Sequence, residues 1–297
     1  NAAENAEPEI HWQNSTSYKE AKQWASLQSL DWMKFYFLLE NNLPRKHAGV
    51  GLARKIGMDE AAQRLFSAGN PKGVIACFDA DSSCSSNYLV ELISHFTQNP
   101  DSTACSVYFE HPTFGEEFPA EVYSTVQFYE LHLRYYRQAL KFAGAPFAYH
   151  TVGSSMAVRA EDYCRQGGMN KRKAGEDFYF LQKFIELGNF SELNTASIFP
   201  SPHPSDRVPF GTGRSVKQHL NLEKEISQTY HPHAFLILKE FFAQVSSLFK
   251  GYIPPPAFVL EFAGGEEAYK EKLKEIREQS RTEEAFEKRF FRWFNAF

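Results

Sequence analysis

The stretch Gly73-Val-Ile-Ala-Cys-Phe-Asp-Ala-Asp-Ser82 constrains the fold more than any other. Residues 74–78 form a short apolar run behind a Pro-Lys-Gly turn, the pattern of a strand buried on both faces. The run stops on two carboxylates one residue apart, Asp79 and Asp81, then serines, then an apolar helix-like run over 87–96. Open α/β sheets place ligand chemistry in the crevice beyond their strand ends, which is where such a strand delivers its acids. Carboxylate oxygens suit hard cations, and a bound Mg²⁺ or Mn²⁺ can bridge to substrate phosphates.

Two other readings compete for the same residues. Asp and Ser are common turn formers, so Asp-x-Asp is also compatible with a plain loop. A calcium loop fails on spacing. With Asp79 as position one, Cys84 stands where Gly is required and Val90 where Glu is required. A strand-end metal or phosphate site and a turn both remain open.

The chain has 297 residues, enough for one large α/β core or a core with a smaller helical part. A net charge of -4 gives no general drive toward nucleic acid or an anionic membrane. Cys77, Cys84, Cys105 and Cys164 are scattered without a CxxC pair and read as reduced thiols of a cytoplasmic protein. No run has the length of a membrane span, and none reads as a signal peptide.

Periodicity predicts a helix over 17–31, a strand over 33–39 and an amphipathic helix over 50–68. After the central strand come a strand over 103–109 and a long aromatic-rich helix over 121–142. A turn through Gly153-Ser154-Ser155 leads into a short strand ending near 158, and a helix over 160–166 stops at Gly167-Gly168. Glu176 and Asp177 open a helix that runs over 178–187. Alternating strands and helices indicate α/β architecture. Residues 200–215 are dense in Pro and Gly and read as a functional loop. Helices follow over 216–228, 234–249 and 266–297, so a catalytic domain over 1–215 and a helical extension over 216–297 are expected. The final Arg289-Phe-Phe-Arg-Trp-Phe is a candidate either for docking on the fold or for a peripheral contact at the inner membrane face.

Three blocks, in order, carry a family resemblance: Gly49-Val-Gly-Leu-Ala-Arg54, Phe78-Asp-Ala-Asp81, and Gly167-Gly-Met leading to Gly175-Glu-Asp177. Over about 33–214 the chain resembles the inverting GT-A glycosyltransferases, which include cellulose, chitin and hyaluronan synthases. The resemblance implies the Rossmann-like mixed sheet of that fold and a divalent metal, Mn²⁺ or Mg²⁺. It also implies a UDP- or GDP-linked sugar donor and a saccharide or lipid-linked acceptor. Asp81 would ligate the metal, with Asp79 toward the ribose or a metal-bound water. Asp177 would be the base, with Glu176 beside it. Capping and the helix dipole are the structural alternative for this pair.

The same resemblance makes His203 a candidate third metal ligand, against a solvated loop histidine. It also lets the Phe210-Gly-Thr-Gly-Arg214 loop close over the diphosphate with Arg207 or Arg214, against a plain turn. Arg54 and Lys46 would line the donor side, or form surface ion pairs. Gly153 and Ser154 would build the acceptor floor. The chain lacks the Gln-x-x-Arg-Trp motif of polymerising members, which implies a non-processive enzyme. Family members begin with two strands, and only one is expected before residue 70, so strands carrying half the nucleotide pocket are expected to precede Asn1. An inactive binding module of the same fold is the alternative. A sugar-nucleotide pyrophosphorylase fits less well, because its phosphate loop should lie near the front.

Overall fold

The computed structural model describes residues 1–28, 30–206, 208–221 and 229–295. Among them are eleven α-helices and five strands, a mixed α/β architecture. The residues group into two compact units. The first comprises 1–110, 151–201 and 206–211, and the second 111–150, 202–205 and 212–297. The division therefore differs from the single boundary expected at 215, because the long helix over 120–142 belongs with the C-terminal helices.

The first unit holds the sheet, in the order β1 (Val74–Cys77), β4 (Met156–Arg159), β3 (Ala104–Phe109), β5 (Phe190–Phe199), β2 (Ser83–Cys84). β3 and β5 run parallel, and the other pairs are antiparallel. Register is fixed by β4, whose Met156 faces Cys77 on one side and Ser106 on the other. Met156 and Val158 are buried on one face of the sheet and Val107 on the other, and α6 (Glu176–Leu187) adds Phe180, Leu181 and Phe184 to this unit's core. α3 (Tyr88–Gln98) packs on β5, and α2 (Val50–Ser67) packs on β1 and α5 (Ala160–Arg165).

Several expectations are corrected. β1 is not buried on both faces: it stands at the sheet edge, pairs with β4 alone, and leaves Ala76 and Phe78 exposed. The strand expected over 33–39 is irregular. Its Phe35 and Phe37 meet Trp24 and Tyr18 of α1 (Pro8–Ser26) edge-on, with ring centroids 5.0 and 6.5 Å apart. Aromatic propensity favours a strand only where a ladder partner exists, and here the rings pack on a helix instead. α1 starts earlier than expected because Pro8 suits a first helical turn. β5 escaped the sequence reading: Ser-Glu-Leu-Asn-Thr-Ala-Ser lacks clean alternation, and a register shift between Val107 and Tyr108 of its partner explains why.

In the second unit α4 (Ala120–Phe142) packs on α7 (Thr212–Leu220), with Val122 and Val126 against Val216, and on α8 (Pro232–Phe242). The helix expected over 216–228 is α7 as far as described; residues beyond 221 lie outside the described residues. The last predicted helix is two, α10 (Glu266–Glu278) and α11 (Glu283–Phe294), divided where the Thr282 side chain accepts from the Ala285 N–H and starts α11. With α9 (Ala257–Ala263) they enclose an aromatic core in which Phe286, Phe290 and Phe291 are buried. The terminal aromatic run thus docks on its own unit. No helix among the described residues is long and apolar enough to cross a membrane.

Candidate functional site

The site assembles in the first unit around the start of α2. Gly49 and Gly51 let the segment over 170–173 cross closely. A β-carbon on Gly49 would lie 3.1 Å from Lys173 Cα, and one on Gly51 would lie 3.1 Å from Asn170 O. Arg54 follows one helical turn after Gly51 and so shares its face. Its guanidinium bonds Asp79 Oδ1 at 2.8 Å with one nitrogen and Glu176 Oε1 with another. Only 9% of the arginine side chain and 5% of the glutamate are exposed, so this second pair is buried. Burial would by itself lower the Arg54 pKa. Asp79, the Cys77 thiol and Glu176 outweigh it, raise the pKa and hold the guanidinium charged.

Gly153 completes the cradle, since a β-carbon there would stand 2.8 Å from Arg54 Cζ. The resemblance implied an acceptor floor at Gly153 and Ser154, and in the structure the Arg54 guanidinium packs against Gly153. Ser154 beside it is buried.

Gly175 in the left-handed region (φ 68°) turns the chain into α6 and sets Glu176 and Asp177 in its first turn. Asn170 Nδ2 donates to Glu176 O at 2.7 Å, tying the loop to the helix start. Asp177 Oδ1 accepts the Phe178 N–H at 2.8 Å, and the Gly153 N–H also reaches its carboxylate. Burial raises the Asp177 pKa against these donors and Arg54. Burial also raises that of Glu176, followed by the charge of Asp177, with Arg54 opposing. The two adjacent acids therefore differ in role: Glu176 is clamped by a guanidinium, whereas Asp177 is held by backbone donors.

At the strand end a tight turn brings Ser82 N to Asp79 O at 3.0 Å. Asp79 is half exposed and Asp81 exposed. Ser82 Oγ is buried without a hydrogen-bond partner, so this turn carries unmet polar capacity. Among the described residues no three His, Cys, Asp or Glu side chains gather as a metal set. Mg²⁺ sites often use one or two carboxylates and complete their shell with water and substrate phosphate, and Asp79 with Asp81 fits that donor set.

The structure thus brings Asp79, Arg54, Gly153, Glu176 and Asp177 together. Lys46 lies exposed in the turn before α2. His203 and Arg214 belong to the second unit, where the His203 ring lies 6.0 Å from that of Phe118 and Arg214 sits in α7. Arg207 lies outside the described residues. Phe210 of the candidate glycine loop would have its ring tip 3.3 Å from a β-carbon on Gly175, and Cys77, given no site role by the sequence, has its thiol pushed up to about 12 by burial. A groove of about 850 Å³ lined by Trp32, Tyr36 and Arg64 contains none of these site residues. Comparison of the chain with protein-family models, with curated proteins and with solved structures finds no match.

Proposed function

We propose that this chain is a metal-dependent, inverting glycosyltransferase of the GT-A fold, moving a sugar from a UDP- or GDP-linked donor to a saccharide or lipid-linked hydroxyl. The observation that carries the reading is the convergence on Arg54 of the strand-end acid Asp79 and the helix-start acid Glu176, with Asp177 alongside. The shared guanidinium holds a strand-end acid and a helix-start acid at one place. A site that must hold a diphosphate next to a base needs such a juxtaposition.

Asp177 takes the proton of the acceptor hydroxyl as that oxygen attacks the anomeric carbon. The new C–O bond forms on the face opposite the diphosphate, whose bond to the anomeric carbon breaks with both electrons leaving on the phosphate oxygen. One displacement inverts the configuration. Glu176, engaged by Arg54, is not free to compete for the proton, and the backbone donors at Phe178 and Gly153 aim the Asp177 carboxylate. Burial makes Asp177 a stronger base than a solvated aspartate while it stays ionised. Arg54 offers positive charge toward the leaving diphosphate. Asp79 and Asp81 would hold a divalent cation, which supplies further neutralisation of that leaving group.

The test is release of UDP or GDP from a panel of nucleotide sugars with Mn²⁺ present. Asp177→Asn is expected to lower turnover by about 10²–10⁴-fold with donor binding retained. Turnover unchanged in that variant, or no nucleotide sugar consumed by the parent chain, overturns the reading.

A further inference from the structure

The glycines that admit the crossing segment also bring together two basic loops far apart in sequence. One is the turn holding Arg45 and Lys46, closed by the Ala48 N–H on Pro44 O at 2.9 Å. The other is Lys171-Arg172-Lys173, which leads through Gly175 into the Glu176–Asp177 pair. Lys173 Cα and Cγ both come within 3.1 Å of the β-carbon position of Gly49. Lys46 precedes Gly49 by three positions, a reach of at most about 11 Å, so the two loops lie side by side in this unit.

All of Arg45, Lys46, Lys171, Arg172 and Lys173 are exposed. Arg172 lies over the Tyr179 ring, its Cζ 3.7 Å from the centroid, which fixes one guanidinium on the face of α6. Among the described residues none of the five has an ion-pair partner, and the one acid bonded nearby, Glu4, accepts the Arg45 backbone N–H at 3.3 Å. Some surface cations of this chain are paired, as Lys55 with Asp59, Arg165 with Glu161 and Lys270 with Glu266. In a chain of net charge -4, five exposed cations carried by two adjoining loops concentrate positive charge locally. They attract an anion to the start of α6, where the base stands. No side chain caps the N-terminus of α2 and no acid occupies its first turn, so the helix dipole adds to the same field.

We propose that these two loops form one basic site that takes the phosphate group of the acceptor. This rests on the transferase reading above and narrows its acceptor to a phosphate-bearing one. It also moves Lys46 from the donor side to the acceptor side. The phosphate can come from a sugar phosphate in solution or from a phosphate-linked lipid, and one charge-reversal variant read with two probes separates these. The full chain carrying Lys46→Glu, Lys171→Glu and Lys173→Glu together is compared with the parent, at low salt and without nucleotide. One probe is inorganic phosphate, followed by calorimetry. The other is vesicles of phosphatidylglycerol and phosphatidylcholine against phosphatidylcholine alone, followed by co-sedimentation.

The parent is expected to hold at least one probe, and the reversal variant to hold it about a hundredfold more weakly. Retention of phosphate alone assigns a soluble acceptor, and retention of the anionic vesicles assigns a lipid headgroup. The Lys→Gln version of the triple variant, expected to fall between the two, gives the same reading if the reversal variant melts early. A parent that holds neither probe, or a reversal variant that holds them equally, overturns the site. Because no nucleotide sugar is present, the two readings fail separately. Probe binding by a chain that consumes no nucleotide sugar removes the transferase reading and leaves the basic site. Sugar transfer with probe binding unchanged in the reversal variant removes the site alone.

Discussion

Arg54 is the residue on which the site turns, and its two carboxylates do unequal work. Its pair with Glu176 is buried on both sides, whereas Asp79 is half exposed and screened by solvent. Replacing Arg54 by Met therefore strands Glu176 as an uncompensated buried charge and is expected to cost about 3 kcal/mol. The melting temperature of Arg54→Met should fall, and adding Glu176→Gln should recover much of the loss; no recovery would mean that the pair is not coupled as drawn. Gly153→Ala is expected to push the guanidinium aside and reduce turnover, with circular dichroism at the parent level. The pH dependence of turnover belongs to Asp177. The ionised form is active and burial raises its pKa, so kcat/KM should fall with one proton as the pH drops through a midpoint above 3.8. A flat acid limb down to that value would assign the base elsewhere.

Among the elements, α11 shows how a sequence pattern with two possible destinations is resolved by packing. Its terminal aromatic run has the composition of an interfacial segment, yet Phe286 and Phe290 are fully buried against helices of the same unit. Phe290 also meets Phe241 edge-on with centroids 6.0 Å apart. Phe290→Ala is expected to destabilise the second unit by about 3–5 kcal/mol. Thermal unfolding checks this, with Phe258→Ala, at a 39% exposed ring, as the mild control. The same logic covers β1. Its four residues read as a doubly buried strand because they are apolar, but burial is conferred by neighbours on both edges, and β1 has one.

For the whole molecule, acid stability is carried in part by His150, the last residue of a second-unit segment. Its pKa is lowered from 6.5 to about 4 by burial, with Arg137 and Arg134 adding to the effect. The folded protein keeps this imidazole neutral down to about pH 4, whereas the unfolded chain protonates it near 6.5. Between those values the unfolded state binds more protons, so stability falls as the pH is lowered through that window. The effect is expected to be about 2 kcal/mol once partial exposure is allowed for. The parent should lose melting temperature between pH 6.5 and 4 more steeply than His150→Gln, and parallel curves would refute this.

What the sequence by itself determined is local. Apolar periodicity placed α2, α3, α5 and α6, and Gly167-Gly168 marked the end of α5, because a helix is decided by contacts within a few residues. The same locality made Asp79, Asp81, Glu176 and Asp177 legible as candidates, since each pair announces itself at a strand end or a helix start. Partnership was not legible. Arg54 and Glu176 lie 122 residues apart, the space left at Gly153 has meaning only once the guanidinium is seen to fill it, and Lys173 reaches the start of α2 only because Gly49 and Gly51 let one segment cross another. Those facts depend on which strands pair, in which register and at which edge. Tertiary structure alone decided them, because pairing over such separations is set by the closing of the whole core rather than by any stretch of the chain within it.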